Sequence, residues 1–166
     1  MNLAKPFGFV ALFCLLLAAC GPTPAPVGAD ALQDVALYYY NPEMDMDAEG
    51  NVQCSEAGLV SLVREVPADL EGEDLIRATL ERLLEDELSA DEIAEGISSD
   101  FPLAGVELEN VELVDGLLTL TFLDPQNQTS GGACRVSILR AQLEATALQF
   151  DAVEELRIRP VDLFQP

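Results

Sequence analysis

The 166-residue chain holds 30 acidic and 8 basic residues and no histidine, for a formal net charge of −22 at pH 7. That balance excludes nucleic acid as a partner, because binding a phosphate backbone needs Lys and Arg clusters that release condensed counterions. Without histidine a Ser-His-Asp triad, a Cys-His pair and the usual His-based zinc site are ruled out. The lone lysine, Lys5, sits in the leader, which removes a Ser-Lys dyad, a Schiff base and a P-loop contact.

The chain begins with that one positive charge and an apolar run from Phe7 to Leu17. A basic start, a short apolar stretch and small residues before a cut are the parts of a signal peptide, assigned to residues 1–19. The run is shorter than the roughly 20 residues that a spanning helix needs. Leu17-Ala18-Ala19-Cys20, with Gly21 after it, resembles the bacterial lipobox. That resemblance implies a diacylglycerol on the Cys20 thiol and a mature chain starting there, on the extracytoplasmic face of the cell membrane or of an outer membrane where the organism has one. One acyl chain binds only marginally, whereas two or three, at about 0.8 kcal/mol per buried methylene, hold firmly. The acidic field repels anionic headgroups, so membrane attachment is expected through the lipid alone. Residues 20–34 complete the anchor with a linker whose prolines, Pro22, Pro24 and Pro26, favour an extended polyproline spacer.

The domain is expected over residues 35–166, and its elements follow in order. Val35 to Tyr40 reads as a strand, with Ala36, Tyr38 and Tyr40 on one face and Leu37 and Tyr39 on the other. A polar loop from Asn41 to Ser55 precedes a second strand, Gly58 to Val66, ended by Pro67, which cannot donate to a ladder. Ile76, Leu80, Leu83, Leu84 and Leu88 form one stripe of an amphipathic helix over Glu73 to Leu88. Ser89-Ala90-Asp91-Glu92 matches the capping box of a short helix that stops at Gly96. Val106 to Val114 and Leu117 to Leu123 are strands joined by Asp115-Gly116, the dipeptide that a type I′ hairpin turn demands. A helix from Cys134 to Phe150 carries Val136, Leu139, Leu143, Ala147 and Phe150 on one side, and a last strand covers Glu154 to Arg159. The predicted fold is α+β, order β-β-α-β-β-α-β, with a single mixed or antiparallel sheet and helices packed on one face.

In this succession, Leu37-Tyr38-Tyr39-Tyr40, then Gly58-Leu59-Val60-Ser61-Leu62-Val63-Arg64-Glu65-Val66, then Leu80-Glu81-Arg82-Leu83-Leu84 resembles the GerMN domain of sporulation and germination lipoproteins of the GerM type. Gly96-Ile97-Ser98-Ser99-Asp100-Phe101-Pro102 before the hairpin fits the same pattern, as does Gln142-Leu143-Glu144-Ala145-Thr146 ahead of Phe150 and Val153-Glu154-Glu155-Leu156-Arg157-Ile158. The likeness covers about residues 35 to 160. It implies an exported, non-enzymatic module of the cell envelope that contacts another envelope protein or the cell wall. The chain departs from that family in having one such domain where the germination proteins have two, and in a longer, more acidic Asn41–Ser55 loop.

Two constellations remain. Of the four cysteines, Cys54 and Cys134 stay in the exported domain, and an even pair outside the cytoplasm reads as a disulfide. Closing a loop of that length contributes at most about 4.5 kcal/mol in the chain-entropy account. Asp45, Asp47, Glu49, Asn51 and Glu56, with Gly50 between them, match the spacing of a calcium loop. A calcium-dependent binding domain is therefore the alternative to a cofactor-free module. Pro42 and strand-like flanks do not supply the helices of an EF-hand, and an acidic connector explains the same residues. Carboxylate pairs for a glycosidase would arise by chance among so many acids, and no enzyme is expected.

Overall fold

The computed structural model describes residues 31–165. The leader, Cys20 and most of the linker lie outside the described residues. Strands β1 (Leu32–Tyr40) and β2 (Leu59–Pro67) pair antiparallel over their full length and put Leu37 opposite Leu62. Between them run two short 3₁₀ turns, Pro42–Asp45 and Glu56–Gly58, where the sequence suggests only an irregular loop. Helices α1 (Gly72–Glu85) and α2 (Ala90–Ala94) follow, then β3 (Glu107–Val114), β4 (Leu117–Leu123), α3 (Ala133–Leu148) and β5 (Glu155–Arg159). No helix among the described residues is long and apolar enough to cross a membrane.

The local signals explain each element. Asp115 and Gly116 both take positive φ, 49° and 82°, as a two-residue type I′ turn requires, and Val114 pairs directly with Leu117. Ser89 accepts from the Glu92 amide while the Glu92 carboxylate accepts from the Ser89 amide, so both halves of the capping box form. α1 is shorter than its apolar stripe suggests: it stops at Glu85, and Leu88 packs onto the core from beyond the helix end.

The single sheet expected from the sequence is replaced by two. β1 and β2 form a two-stranded sheet, and β3, β4 and β5 a three-stranded one in which β5 lies parallel to β4. The reason lies at the open edge of β1, where the even-numbered residues turn their backbone groups away from β2. The Ala36 amide donates to Gln149 Oε1 and its carbonyl accepts from Gln149 Nε2. The Tyr38 amide donates to Thr146 Oγ1, and its carbonyl accepts from Gln142 Nε2. Tyr40 exchanges both groups with Ser98. A row of α3 side chains thus occupies the place where a further strand would pair, which closes the sheet at two strands. The helices do not lie on one face of one sheet: α1 and α3 pack together, and each touches a strand of both sheets.

One core results. Leu37, Tyr39, Ile76, Leu80, Leu83, Leu118, Leu120, Phe122, Leu139 and Leu143 are buried within it. The chain's end returns to close it: Leu163 and Phe164 are buried, and the Phe164 ring meets Phe122 edge to face at 5.6 Å. That last contact was not foreseen from the sequence.

Candidate functional site

The segment from Asn41 to Gly58 is the most individual part of the molecule, and its polar side chains define its shape. Asn41 caps the first turn by accepting from the Glu43 amide. Asp45 is buried at 4% exposure and accepts from the Tyr40 hydroxyl, the Ser55 hydroxyl at 2.5 Å and the Ser55 amide at 2.6 Å. These bonds, the Ser55 hydroxyl first, hold the Asp45 carboxyl below the usual carboxylate range. Burial first, then the Asp45 bond, pushes the Tyr40 hydroxyl up to about 12. Gly58 lies so close to both partners that a Cβ there would overlap the Tyr40 ring and the Asp45 side chain.

Asp47 organises the tip in the same manner. One of its oxygens accepts from the amides of Glu49 and Asn51 at 3.0 and 2.8 Å, and the other from Gln53 Nε2 at 2.9 Å. The Asn51 amide bond is the leading reason that its carboxyl too is lowered. Asp45 and Asp47 therefore face donors of their own chain, while Glu49 and Glu56 are exposed. Among the described residues no group of three or more His, Cys, Asp or Glu is placed to hold a metal ion. Of the five residues of the calcium spacing, Asp47 and Asn51 bond each other, Asp45 is held by Tyr40 and Ser55, and Glu49 and Glu56 are exposed.

Cys54 and Cys134 form the expected disulfide, with Cα atoms 5.2 Å apart across a sequence separation of 80. It ties the loop to the first turn of α3 beside an open cleft of about 530 Å³. Ser55, Glu56, Ser137, Arg140 and Glu144 line this cleft, and Arg140 is already paired with Glu144 at 2.7 Å. A second, more apolar hollow of about 430 Å³ lies between α2 and the Phe101-Pro102 segment, walled by Leu88, Ile93 and Ile97.

The chemistry that sequence reasoning missed is a buried ionic knot. Asp86, 5% exposed at the end of α1, accepts from the Tyr39 hydroxyl at 2.7 Å and pairs with Arg64 at 2.7 Å and Arg82 at 2.9 Å. Arg64 also reaches Glu92 at 3.0 Å and lies over the Tyr39 ring. Burial opposes the charge on Arg64, but its bonds to Asp86 and Glu92 outweigh that and raise its pKa. Burial, then the Asp86 bond, raises the Tyr39 hydroxyl. The clue in the sequence was Arg64, a charge on the face of β2 that otherwise carries Val60, Leu62 and Val66. The knot joins β1, β2, α1 and α2, so it is structural rather than reactive.

Comparison with known proteins completes the site. The tandem GerMN domains of the sporulation protein GerM from Bacillus subtilis superpose with a TM-score of 0.52 at 16% identity, covering 85% of this chain and 44% of that one. The first GerMN domain of the same protein gives 0.46 at 17% identity, covering 77% and 84%. No curated protein matches. This chain spans less than half the length of the tandem structure, and at such identity the likeness speaks for the fold alone. The Germane family model, described as sporulation and spore germination, matches residues 36–162. Its span runs from β1 through β5 into the buried C-terminal turn, and its description names a process, not a reaction. The chain therefore belongs to the Germane family, with the GerMN fold on which the GerM resemblance rests.

Proposed function

We propose that the chain is a lipid-anchored, extracytoplasmic lipoprotein whose GerMN-like domain is a non-catalytic binding or assembly module, contacting another envelope protein or the cell wall without a cofactor. The observation that supports the module reading is the family match over residues 36–162, whose description names a process and no reaction. The Cys54–Cys134 bond, with Cys134 exposed, suits an oxidising compartment outside the cytoplasm.

Membrane fractionation with mass spectrometry of the amino terminus tests the anchor. Wild-type chain is expected in the membrane fraction with acyl mass on Cys20, and Cys20→Ala outside it. An unmodified terminus, or a Cys20→Ala variant that still sediments with membranes, would sink the assignment. The calcium-dependent alternative rests on the spacing of Asp45, Asp47, Glu49, Asn51 and Glu56. Millimolar calcium is expected to leave the melting temperature unchanged, because Asp45 and Asp47 already bond to protein donors; a rise of several degrees would restore that alternative.

A further inference from the structure

The strand edges of this molecule are not treated alike. β1 has the amides and carbonyls of Ala36, Tyr38 and Tyr40 bonded by α3 and Ser98. The outer edge of β3 takes side chains from α1: the Leu113 amide donates to Glu73, and the Leu108 carbonyl accepts from Arg77. β5 has only 5 residues and runs into Pro160, so it offers little edge.

β2 differs from these in that no side chain of another element bonds the outward backbone of residues 61–65 among the described residues. In an antiparallel pair, residues directly opposite either both face each other or both face away. Ala36 and Tyr38 face away from β2, and they stand opposite Val63 and Ser61, so those two turn their backbone groups outward, as does Glu65 opposite Asp34. Arg64 Nη1 takes the Val63 carbonyl. The amides of Ser61, Val63 and Glu65 and the carbonyls of Ser61 and Glu65 have no protein partner among the described residues. All three side chains are exposed, and Val63 is 64% exposed.

We propose that this edge, residues 61–65, is a docking strand to which an extended basic segment of a partner protein adds as a third strand beside β2. Main-chain bonds would supply the affinity and the alternating outward side chains the selectivity. Charge names the occupant. Glu65 on the edge and Asp34 opposite it are exposed, whereas its one cation, Arg64, is engaged by Asp86 and Glu92. A second copy, with the same net charge of −22, is repelled, and a cationic strand is drawn in. The proposal rests on the binding-module reading and deepens it.

Backbone hydrogen exchange on the full chain in detergent tests it, with a synthetic peptide of alternating Arg and Val as probe and its Glu-for-Arg analogue as control. The basic peptide should slow exchange at Ser61, Val63 and Glu65 by about tenfold, as added strand pairing requires, and the acidic one should not. Val63→Pro deletes a donor that no protein group uses, at an edge position where proline is tolerated. It should keep the melting temperature within a few degrees and weaken the basic peptide at least about tenfold, while Val63→Thr binds as wild type. Protection elsewhere, equal binding of the acidic peptide, or a Val63→Pro variant that binds normally would overturn the docking strand. So would a self-dimer in sedimentation that Val63→Pro dissolves, since it assigns the edge to a second copy. The wild-type exchange map decides even if the proline variant fails to fold. If Val63→Pro still retains an envelope partner in pull-down, the edge is wrong and the module stands; if wild type retains none, the module reading itself falls.

Discussion

Two antiparallel pairs in this molecule are closed in opposite ways. β3 and β4 are joined by Asp115-Gly116, so pairing begins next to the turn and little chain entropy is lost in bringing the strands together. β1 and β2 are separated by the whole Asn41–Gly58 segment, and their alignment depends on groups far away in sequence: Cys134, Gln142, Thr146, Gln149, Asp86 and Ser98. A locally encoded hairpin tolerates loss of distant partners. A pair assembled by distant partners does not, and its second edge is the one proposed above for docking.

Substitutions graded by distance from the β1–β2 pair should break or sharpen this contrast. The largest effect is expected for Cys54→Ser, which frees the loop from α3; urea unfolding should show a loss approaching about 4 kcal/mol, the chain-entropy figure for such a loop. Asp86→Ala comes next, because it leaves the Tyr39 hydroxyl unpaired and strips Arg64 and Arg82 of a shared acceptor; about 3 kcal/mol is expected by thermal unfolding. Gln149→Ala exposes both Ala36 backbone groups to an unmet need at the sheet edge and should cost about 2 kcal/mol, with faster exchange at the Ala36 amide. Gly116→Ala probes the local hairpin, where positive φ and the nearby Glu154 side chain both disfavour a Cβ; about 1 kcal/mol is expected. Should Gly116→Ala prove the costliest of the four, the contrast is wrong.

The last probe is pH. The Asp45 carboxyl is lowered in the folded chain by Ser55 and Tyr40, so the stability it brings is complete above the ordinary Asp pKa of about 3.9. It is lost as the pH falls through that value toward the folded one. Asp45→Asn should therefore melt below wild type at pH 7, with the gap narrowing as both are acidified below about pH 4. A gap that stays constant would mean that the carboxylate charge contributes nothing to the loop.

Where neighbours in sequence make the structure, the residues were readable in advance. The I′ dipeptide, the Ser89–Glu92 box, the apolar stripe of α1 and the Cys54–Cys134 pair each carry their own physical signal, and each element stands within a few residues of its expected place. The inward face of α3 shows the limit: Val136, Leu139 and Leu143 are legible as core, but Gln142 and Thr146 are buried among them as partners for a strand about a hundred residues earlier. No local rule marks a buried glutamine as the cap of a sheet edge. The acidic spacing from Asp45 to Glu56 reads locally as a cation loop, and only the structure adds that Tyr40, Ser55 and Asn51 bond the carboxylates of Asp45 and Asp47.

The amino-acid order alone determined the elements, the address expected from Cys20, the chemistries excluded by composition and the family pattern. The elements and exclusions follow from short-range periodicity and from which functional groups exist at all, whereas the address and the family rest on resemblance. Only the tertiary structure decided that the strands divide into two sheets, that Asp86 gathers Tyr39, Arg64 and Arg82, and which strand edge stays open. Those outcomes depend on which backbone donors and acceptors remain unmet once distant side chains arrive, and that is settled in space rather than along the chain.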